Sequence, residues 1–265
     1  MTSAANAWDL FGAALLAYQE GDRDATLEVH VDGGPTEPLP AATFFRAAPE
    51  FEAWEQAALE ACRGRVLDLG AGAGCHALAL QERGHEVVAV DVSAGAVAVM
   101  TRRGVRDARR GTLAEVGDGP FDTLLLLMHG AGIGGDLPGL TALLSQCRRL
   151  LAHGGALLID SADPSGRVQH DDAPPDDDAP PDDVRPGHAP TAPDDVTLDA
   201  QAPAWRGDVG VASMRLAWDG DLGPAFPWIY LSARALESLA RTAGLDCGVL
   251  WRGDGGRYLA RLTSQ

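Results

Sequence analysis

The stretch VLDLGAGAGCHALAL, residues 66–80, decides the predicted fold. Its apolar first half contains Asp68 and ends at three alternating glycines, Gly70, Gly72 and Gly74, after which small and apolar residues predict a helix. Glycine lets the backbone turn sharply and approach a ligand closely, and a helix N-terminus presents unpaired N–H groups. We therefore expect a strand, a ligand-binding loop and a helix in this order.

An acidic residue follows the next predicted strand. Asp91 ends that strand in VVAVDVS, residues 87–93, and lies 21 positions after Gly70. A carboxylate there can accept hydrogen bonds from both ribose hydroxyls of a nucleoside, in dinucleotide-binding proteins as well as others. The dinucleotide pattern GxGxxG requires Gly or Ala where this chain has Cys75, and the carboxylate of Asp68 suits a cationic group better than a pyrophosphate.

Strands and helices alternate through the middle and the end of the chain. Helices are predicted at residues 74–82, 94–102, 137–151 and 233–243, and strands at residues 65–69, 86–90, 105–109, 121–128, 156–160, 245–251 and 257–262. Such alternation predicts an α/β fold with a mostly parallel sheet and its ligand at the carboxyl ends of the strands. The RGDGG turn at residues 252–256 predicts a final hairpin, so the last strand should be antiparallel.

Four segments are expected. Residues 1–62 form an N-terminal lid with helices at 8–18 and 49–62 and a strand at 26–31, and residues 63–162 form the ligand-binding core. Residues 163–206 contain the repeat DDAPPDDDAPPDD and are expected to be a flexible acidic insertion. Residues 207–265 supply lid strands at 208–218 and 225–231 and complete the core.

Composition excludes several classes of protein. The 265 residues carry a formal net charge of −17 and include no Lys, which argues against P-loop NTPases, protein kinases and pyridoxal-phosphate enzymes. The acidity disfavours nucleic acid and anionic membranes, and favours a small or cationic substrate. The four cysteines and seven histidines have no metal-ligand spacing, so no metal is expected. Without a signal peptide or a membrane span, the expected location is the cytoplasm.

The ordered chain resembles the class I S-adenosylmethionine-dependent methyltransferases. FDTLLLLMHGAGI, residues 121–133, resembles their fourth motif, and LLAHGGALLIDS, residues 150–161, resembles the turn after it, with His153 in place of the more usual Pro. The FFR segment at residues 44–46 and FPWI at residues 226–229 are similar to segments of a bacterial subgroup. The resemblance implies a Rossmann-like, doubly wound α/β/α sandwich with a seven-stranded sheet, mostly parallel with an antiparallel last strand.

The resemblance also implies that S-adenosylmethionine is the cofactor. Asp68 and the glycines would contact its methionine end, Asp91 its ribose, and the region of Thr112 and Leu113 after the third core strand its adenine. The acidic residue usual in the family is missing in that region, so the adenine contact can also come from the backbone or from Glu115. Leu113 in that region can equally be core packing, Ser93 is first a helix N-cap, and Arg46 can pair with the cofactor carboxylate or with a surface Asp. The full set of expected cofactor contacts is Asp68, Gly70, Ala71, Gly72, Gly74, Asp91, Val92, Ser93, Thr112, Leu113, Met128 and Arg46.

His129 follows the fourth core strand, where the methyl group would be transferred. An imidazole can act as general base there, although the residue can instead shape the loop, and the bacterial subgroup has Asn at this position. His129, Trp228 and Tyr230 are expected to contact the substrate, together with Tyr18, whose helical spacing also fits plain packing.

The predicted function is methyl transfer to a small-molecule acceptor by a monomer or homodimer. Macromolecular acceptors are disfavoured because the sequence has neither a basic patch nor an NPPY-like motif. An NAD(P)-dependent oxidoreductase is the alternative enzyme, disfavoured by Cys75 and by the missing Tyr-Lys pair of the short-chain class. A protein that binds the cofactor without turnover is the third possibility.

Overall fold

The computed structural model describes residues 7–166 and 207–264, so the predicted insertion lies outside the described residues from position 167 onward. The α-helices within these ranges are α1 (Ala7–Glu20), α2 (Ala53–Ala61), α3 (Cys75–Glu82), α4 (Ala94–Arg103), α5 (Leu137–Leu150) and α6 (Ala233–Thr242). The strands are β1 (Thr26–Val31), β2 (Thr36–Pro40), β3 (Arg65–Leu69), β4 (Glu86–Asp91), β5 (Ala108–Arg110), β6 (Phe121–Leu126), β7 (Leu151–Ala162), β8 (Val209–Trp218), β9 (Asp221–Leu222), β10 (Phe226–Leu231), β11 (Leu245–Arg252) and β12 (Arg257–Ser264).

The larger sheet, here called the core sheet, has seven strands in the order β11-β12-β7-β6-β3-β4-β5. β3 pairs in parallel with β4 and β6, and the parallel pairing continues to β5 and β7. β12 is antiparallel to both of its neighbours. Chain order reverses between β3 and β6, which places a ligand crevice at the carboxyl ends of these strands. The predicted doubly wound, seven-stranded sheet with an antiparallel last strand is confirmed.

Helices cover both faces of the core sheet. On β6, Leu124 and Leu126 join the apolar cluster that includes Leu144 of α5 and Leu236 of α6. Leu125 points to the opposite face and joins the cluster that contains Trp54 of α2. The alternation follows from the two-residue period of a strand, and burial on both faces explains the apolar run of β6. The predicted α/β/α layering is therefore also confirmed.

Local capping sets the helix boundaries. The hydroxyl of Ser93 accepts from Ala96 N at 3.3 Å at the start of α4, and Ser232 accepts from Ala235 N at 3.2 Å at the start of α6. Each such cap contributes about 1 kcal/mol. Both caps match the prediction, as does the end of α6 before Gly244, where φ is +73°.

A second, antiparallel sheet has the strand order β10-β8-β1-β2, with β9 paired to β8. The sequence predicts three of its strands but not that they pair with one another. It does not predict β2, since Pro38 interrupts the pattern. β2 is an edge strand, and only at an edge is the missing N–H of a proline tolerated.

Two glycines bring α1 against the start of α4. A Cβ on Gly95 would lie 2.6 Å from the carbonyl carbon and oxygen of Gly12. Because neither residue has a side chain, the two backbones approach closely, and α1 packs beside the carboxyl edge of β4. The N-terminal helix is thereby attached to the core sheet near the end of the strand that carries Asp91.

Several predicted boundaries are wrong. β7 begins at Leu151 and not at residue 156, and β6 ends at Leu126 and not at residue 128. The helix expected at residues 49–62 begins only at Ala53, and Ala48–Glu50 forms a separate 3-10 turn. The strand expected at residues 105–109 is Ala108–Arg110, because Val105 N still donates to Met100 O at 3.0 Å and closes the end of α4. Among residues 7–166 and 207–264, no helix combines the length and the apolar character that crossing a membrane requires.

Candidate active site at the carboxyl edge of the core sheet

The glycine loop joins β3 to α3 and adopts a left-handed backbone. Gly70, Gly72 and Gly74 have φ of +74°, +56° and +79°, a region that side chains other than glycine rarely adopt. Gly70 N and Ala71 N donate to Val90 O at 2.8 and 3.2 Å, which fixes the loop to the end of β4. Gly74 precedes the first residue of α3, so the helix N-terminus opens onto this loop as predicted.

Asp91 holds the glycine loop from the end of β4. Its Oδ2 accepts from Gly72 N at 2.9 Å, and its Oδ1 accepts from Ser93 N at 2.8 Å. Burial raises the pKa of this carboxyl above its usual value, although the backbone N–H groups lower it. An ionised carboxylate has about four acceptor sites, more than these two bonds occupy. Asp91 can therefore order the loop and still accept from a ribose, whose contact stays a prediction. Beside it, Val92 is exposed, and its cofactor contact stays a prediction.

Asp68 carries a buried oxygen that the described part of the chain leaves unpaired. Oδ2 of this residue has no hydrogen-bond partner among residues 7–166 and 207–264. Burial raises the pKa of Asp68 to about 6, a rise that the His76 charge opposes and the Asp91 charge increases. Native proteins rarely leave a buried carboxylate oxygen without a donor. A cationic ammonium next to the glycine loop fits this site.

Arg46 binds a buried glutamate of the protein itself. Its two terminal nitrogens donate to the two oxygens of Glu55, both at 2.8 Å, and its Nε donates to Thr43 O at 2.9 Å. His76 Nε2 lies 2.7 Å from Glu55 Oε1. Burial acts to raise the pKa of Glu55, but His76 and Arg46 hold it below its usual range. The cofactor contact predicted for Arg46 stays a prediction, and its partner within the protein is Glu55 in place of the surface Asp that the sequence suggested.

The region expected to hold the adenine contains one buried and two exposed side chains. Leu113 is 4% exposed and packs in the apolar cluster beneath the sheet, in agreement with its alternative role as core. Thr112 N and Oγ1 donate to Glu115 Oε2 at 2.8 and 3.0 Å, which closes a short turn. Adenine contacts at Thr112 and Leu113 stay predictions.

The loop after β6 is strained and held by a buried carboxylate. Met128 and His129 both have positive φ, +63° and +59°. Asp160, fully buried near the end of β7, accepts from His129 N at 2.9 Å and Gly130 N at 3.0 Å, and from Arg257 at 3.2 Å. Non-glycine residues in this region cost about 1–3 kcal/mol each and often lie at functional sites. The loop therefore keeps its shape because Asp160 receives its N–H groups.

His129 is neutral at ordinary pH. Burial lowers the pKa of its imidazole to about 4, helped by the nearby charge of Arg257 and opposed by Asp160. Its Nδ1 is buried and finds no hydrogen-bond partner in the described part of the chain. The ring packs edge-on against Tyr230, with centroids 5.5 Å apart. A neutral imidazole with an unpaired nitrogen can accept a hydrogen bond from a ligand.

The structure groups some of the predicted substrate residues and separates one. Tyr230 contacts His129, and the indole of Trp228 occupies the space above Gly132, where any side chain would overlap it. Tyr18 instead packs on Phe45 at 4.5 Å between ring centroids and under the guanidinium of Arg23. Its substrate contact stays a prediction.

Some residues of this edge were not predicted from the sequence. The sequence could have indicated Asp160, because it lies near the end of a core strand, as Asp68 and Asp91 do. No sequence feature indicated Trp8, which reaches the site by packing on Phe226 and Trp228, with centroids 5.1 and 6.1 Å apart. Three or more His, Cys, Asp or Glu side chains that could share a metal ion do not meet anywhere in residues 7–166 and 207–264.

The fold and the glycine loop define a nucleoside-binding α/β protein, and comparisons with known proteins identify which kind. A methyltransferase domain profile matches residues 66–155. An S-adenosylmethionine-dependent methyltransferase from Bacteroides fragilis, crystallised with S-adenosylhomocysteine, is 31% identical with a TM-score of 0.77, covering 99% of this chain and 98% of that one. The chain therefore belongs to the class I S-adenosylmethionine-dependent methyltransferases, whose cofactor is S-adenosylmethionine.

More distant relatives agree with the fold. A sugar N-methyltransferase from a Streptoalloteichus species is 19% identical with a TM-score of 0.54, covering 84% of this chain and 92% of that chain. A curated release factor glutamine methyltransferase from Rhodospirillum rubrum is 41% identical over 78 residues, 26% of this chain and 24% of the relative. The chain thus spans about a quarter of the length of that curated protein.

Proposed function

We propose that the protein transfers a methyl group from S-adenosylmethionine to a small-molecule acceptor. The observation that carries the proposal is the unpaired, buried oxygen of Asp68 beside the left-handed glycine loop. That oxygen offers a site for the ammonium of the methionine part, and a dinucleotide would bring a pyrophosphate to the same place. When bound, S-adenosylmethionine supplies an electrophilic methyl carbon, which a nucleophile attacks in line while the C–S bond breaks.

The protein residues then have distinct proposed roles. Asp91 accepts from the ribose hydroxyls, and the glycine loop keeps its backbone close to the cofactor. Residues 7–62 and 207–231 act as a lid that covers the carboxyl edge of the core sheet and excludes water. β10 packs on the loop after β6, so the acceptor would lie beside this contact, next to His129 and the rings of Trp228 and Tyr230.

His129 is proposed to hold the acceptor through Nδ1. With a pKa of about 4, its imidazole is neutral and can accept a hydrogen bond from an O–H or N–H group. The same low pKa makes it a weak base, so orientation of the acceptor is its main proposed contribution. Removal of a proton from the acceptor is a second proposed role of His129. Unchanged turnover in His129→Asn, measured with a true acceptor, would remove the general-base role.

The small-molecule acceptor is supported by charge and by the covered site. The net charge of −17 opposes approach of nucleic acid. Trp228 of β10 lies over the loop after β6, and Trp8 of α1 packs on Trp228 and on Phe226, so the acceptor would have to fit beside these rings.

Calorimetric titration with S-adenosylmethionine, S-adenosylhomocysteine and NAD tests the proposal. Micromolar binding of the first two, lost in Asp91→Ala and retained in Glu82→Gln, is the expected result. Glu82 is an exposed acidic residue at the end of α3, so its variant controls for loss of one negative charge. Binding of NAD alone would replace the proposal with an oxidoreductase, and tight cofactor binding without methylation of any acceptor would indicate a protein without turnover.

A further inference from the structure

The second sheet presents an apolar and aromatic inner face toward the core sheet. Along β10, side chains at alternate positions share this face, and β8 and β1 extend it. Its members form one packed cluster: Ala212, Met214, Tyr230, Val29, Val31, Phe226 and Trp228. Through Tyr230 this face meets His129, and through Trp228 it meets the loop after β6. The face is therefore the wall of the candidate active site opposite the core sheet.

A single carboxylate interrupts this wall. Glu37 on β2 stands directly opposite Val29 on β1, and directly opposed residues of antiparallel strands point to the same side. Its Oε2 is buried and has no hydrogen-bond partner within the described residues. Burial raises the pKa of Glu37. The carboxylate is also close enough to Tyr230 for its charge to add to the rise in the pKa of that phenol, which burial mainly causes.

Arg257, the arginine of this region, contacts Asp160 and Trp54. Arg257 pairs with Asp160 at 3.2 Å, and its guanidinium lies 3.9 Å over the ring of Trp54. Asp160 is in turn used by the backbone of the loop after β6. The described residues therefore balance the charge of Asp160 and leave that of Glu37 without a hydrogen-bonded partner.

A buried hydrogen-bond acceptor without a donor lowers the stability of the folded protein, so such atoms in a native structure require an explanation. Two other groups at this edge share the feature, Asp68 Oδ2 and His129 Nδ1. Asp68 has the ammonium of the cofactor as its proposed partner, and His129 has the acceptor. Glu37 lies on the opposite wall, where a bound acceptor can supply the donor that the described residues do not.

We infer that the acceptor carries a cationic amine apart from the atom that is methylated, since an ammonium has no lone pair to attack the methyl carbon. Glu37 binds this ammonium while the rings of Trp228 and Tyr230 line the space around it. The inference rests on the proposed methyltransferase function and narrows its substrate class. A carboxylate pairs strongly with an ammonium in a partly dry site, and aromatic faces attract the same charge. The negative charge of the whole chain favours the approach of a cation.

The test uses the full-length protein and radiolabelled S-adenosylmethionine. A broad library of small amines that also carry a second nucleophilic atom is screened for methyl incorporation beside alcohols and carboxylic acids of matched carbon skeletons. The best acceptor is then assayed with Glu37→Gln and with Glu28→Gln, which removes the same charge from an exposed position on the neighbouring strand β1. Circular dichroism and S-adenosylhomocysteine binding confirm that each variant is folded and binds cofactor.

We expect amines to be methylated in preference to the neutral and acidic compounds, and kcat/KM to fall at least tenfold in Glu37→Gln but not in Glu28→Gln. The loss should lie mainly in KM, because the residue binds the acceptor and does not touch the methyl group. Preference for neutral or acidic acceptors, no labelled amine, or an unchanged kcat/KM in Glu37→Gln would overturn the inference. Failure of the wild type to bind S-adenosylhomocysteine would instead overturn the proposed function.

Discussion

Asp68 should make cofactor binding depend on pH in a range where few other carboxyls titrate. Its pKa is raised to about 6 by burial, and only the ionised form can pair with an ammonium. The ionised fraction falls from about nine tenths at pH 7 to about one tenth at pH 5. We therefore expect the Kd for S-adenosylhomocysteine, measured by calorimetry, to rise about tenfold over these two units and to be nearly constant above pH 7.

The variant Asp68→Asn removes this dependence and weakens binding. A charge-assisted hydrogen bond contributes about 1.5–3 kcal/mol, so the Kd at pH 7 should rise about 10- to 100-fold. At pH 5 the wild type has lost about tenfold in affinity, so its advantage over the variant should shrink from about 10- to 100-fold to about one- to tenfold. Glu82→Gln, with the same loss of a carboxyl on an exposed surface, should keep both the affinity and the pH dependence of the wild type.

The stability of the cofactor-free protein should change in the opposite direction. Because the pKa of Asp68 is higher in the folded protein than in the unfolded chain, folding favours the protonated form. The contribution of Asp68 to the stability of the folded protein is thus present at low pH and is lost as pH rises from about 4 to about 6. The shift from 3.8 to about 6 corresponds to about 3 kcal/mol at pH 8. Asp68→Asn should therefore unfold at higher urea than the wild type at pH 8 while binding cofactor less tightly.

Two results would refute this reasoning about Asp68. A flat Kd between pH 5 and pH 7 in the wild type would mean that the carboxyl is not the group that receives the ammonium. Wild-type affinity in Asp68→Asn would lead to the same conclusion from the other side. Weaker binding together with lower stability at pH 8 would point to general damage to the glycine loop.

Three further predictions concern buried contacts around the site. Asp160→Asn should cost about 2–4 kcal/mol in urea unfolding, since one N–H of the strained His129 loop or Arg257 loses its acceptor; a loss under about 0.5 kcal/mol would contradict the role of Asp160. Glu55→Gln should cost about 3–5 kcal/mol, because it leaves the Arg46 guanidinium without its buried countercharge, and wild-type unfolding would show that the pair is not formed. Gly132→Ala should lower thermal stability by about 1–3 kcal/mol by displacing the Trp228 indole; an unchanged Tm would place that ring elsewhere.

The core sheet could be predicted because its signals are local in sequence. Strand, glycine turn and helix recur within residues 65–110, and each turn demands a residue type that is visible without the fold, such as the positive φ of Gly70 or the cap of Ser93. The boundary errors occur where a helix end and a strand start compete over a few residues. Val105 is such a case, since its N–H closes α4 and so delays β5.

The second sheet could not be predicted from the same kind of evidence. β1 pairs with β8 although about 180 residues separate them. Backbone N–H and C=O groups are chemically alike in all strands, so they do not specify which strand pairs with which. β2 was not predicted because Pro38 argues against a strand. Proline is tolerated in an edge strand, but the sequence does not show which strand lies at an edge. The position of Glu37 on the inner wall follows from that pairing alone.

The sequence by itself determined the α/β class, the seven core strands and the glycine loop with Asp68 and Asp91, because each depends on neighbours within a few residues. Only the tertiary structure decided which charges are satisfied. It paired Arg46 with Glu55 and placed Asp160 where it accepts from the strained His129 loop. Among residues 7–166 and 207–264, it left Glu37 and Asp68 each with a buried oxygen unpaired. Pairing of this kind depends on which side chains packing brings together, and packing joins residues that are distant in the chain.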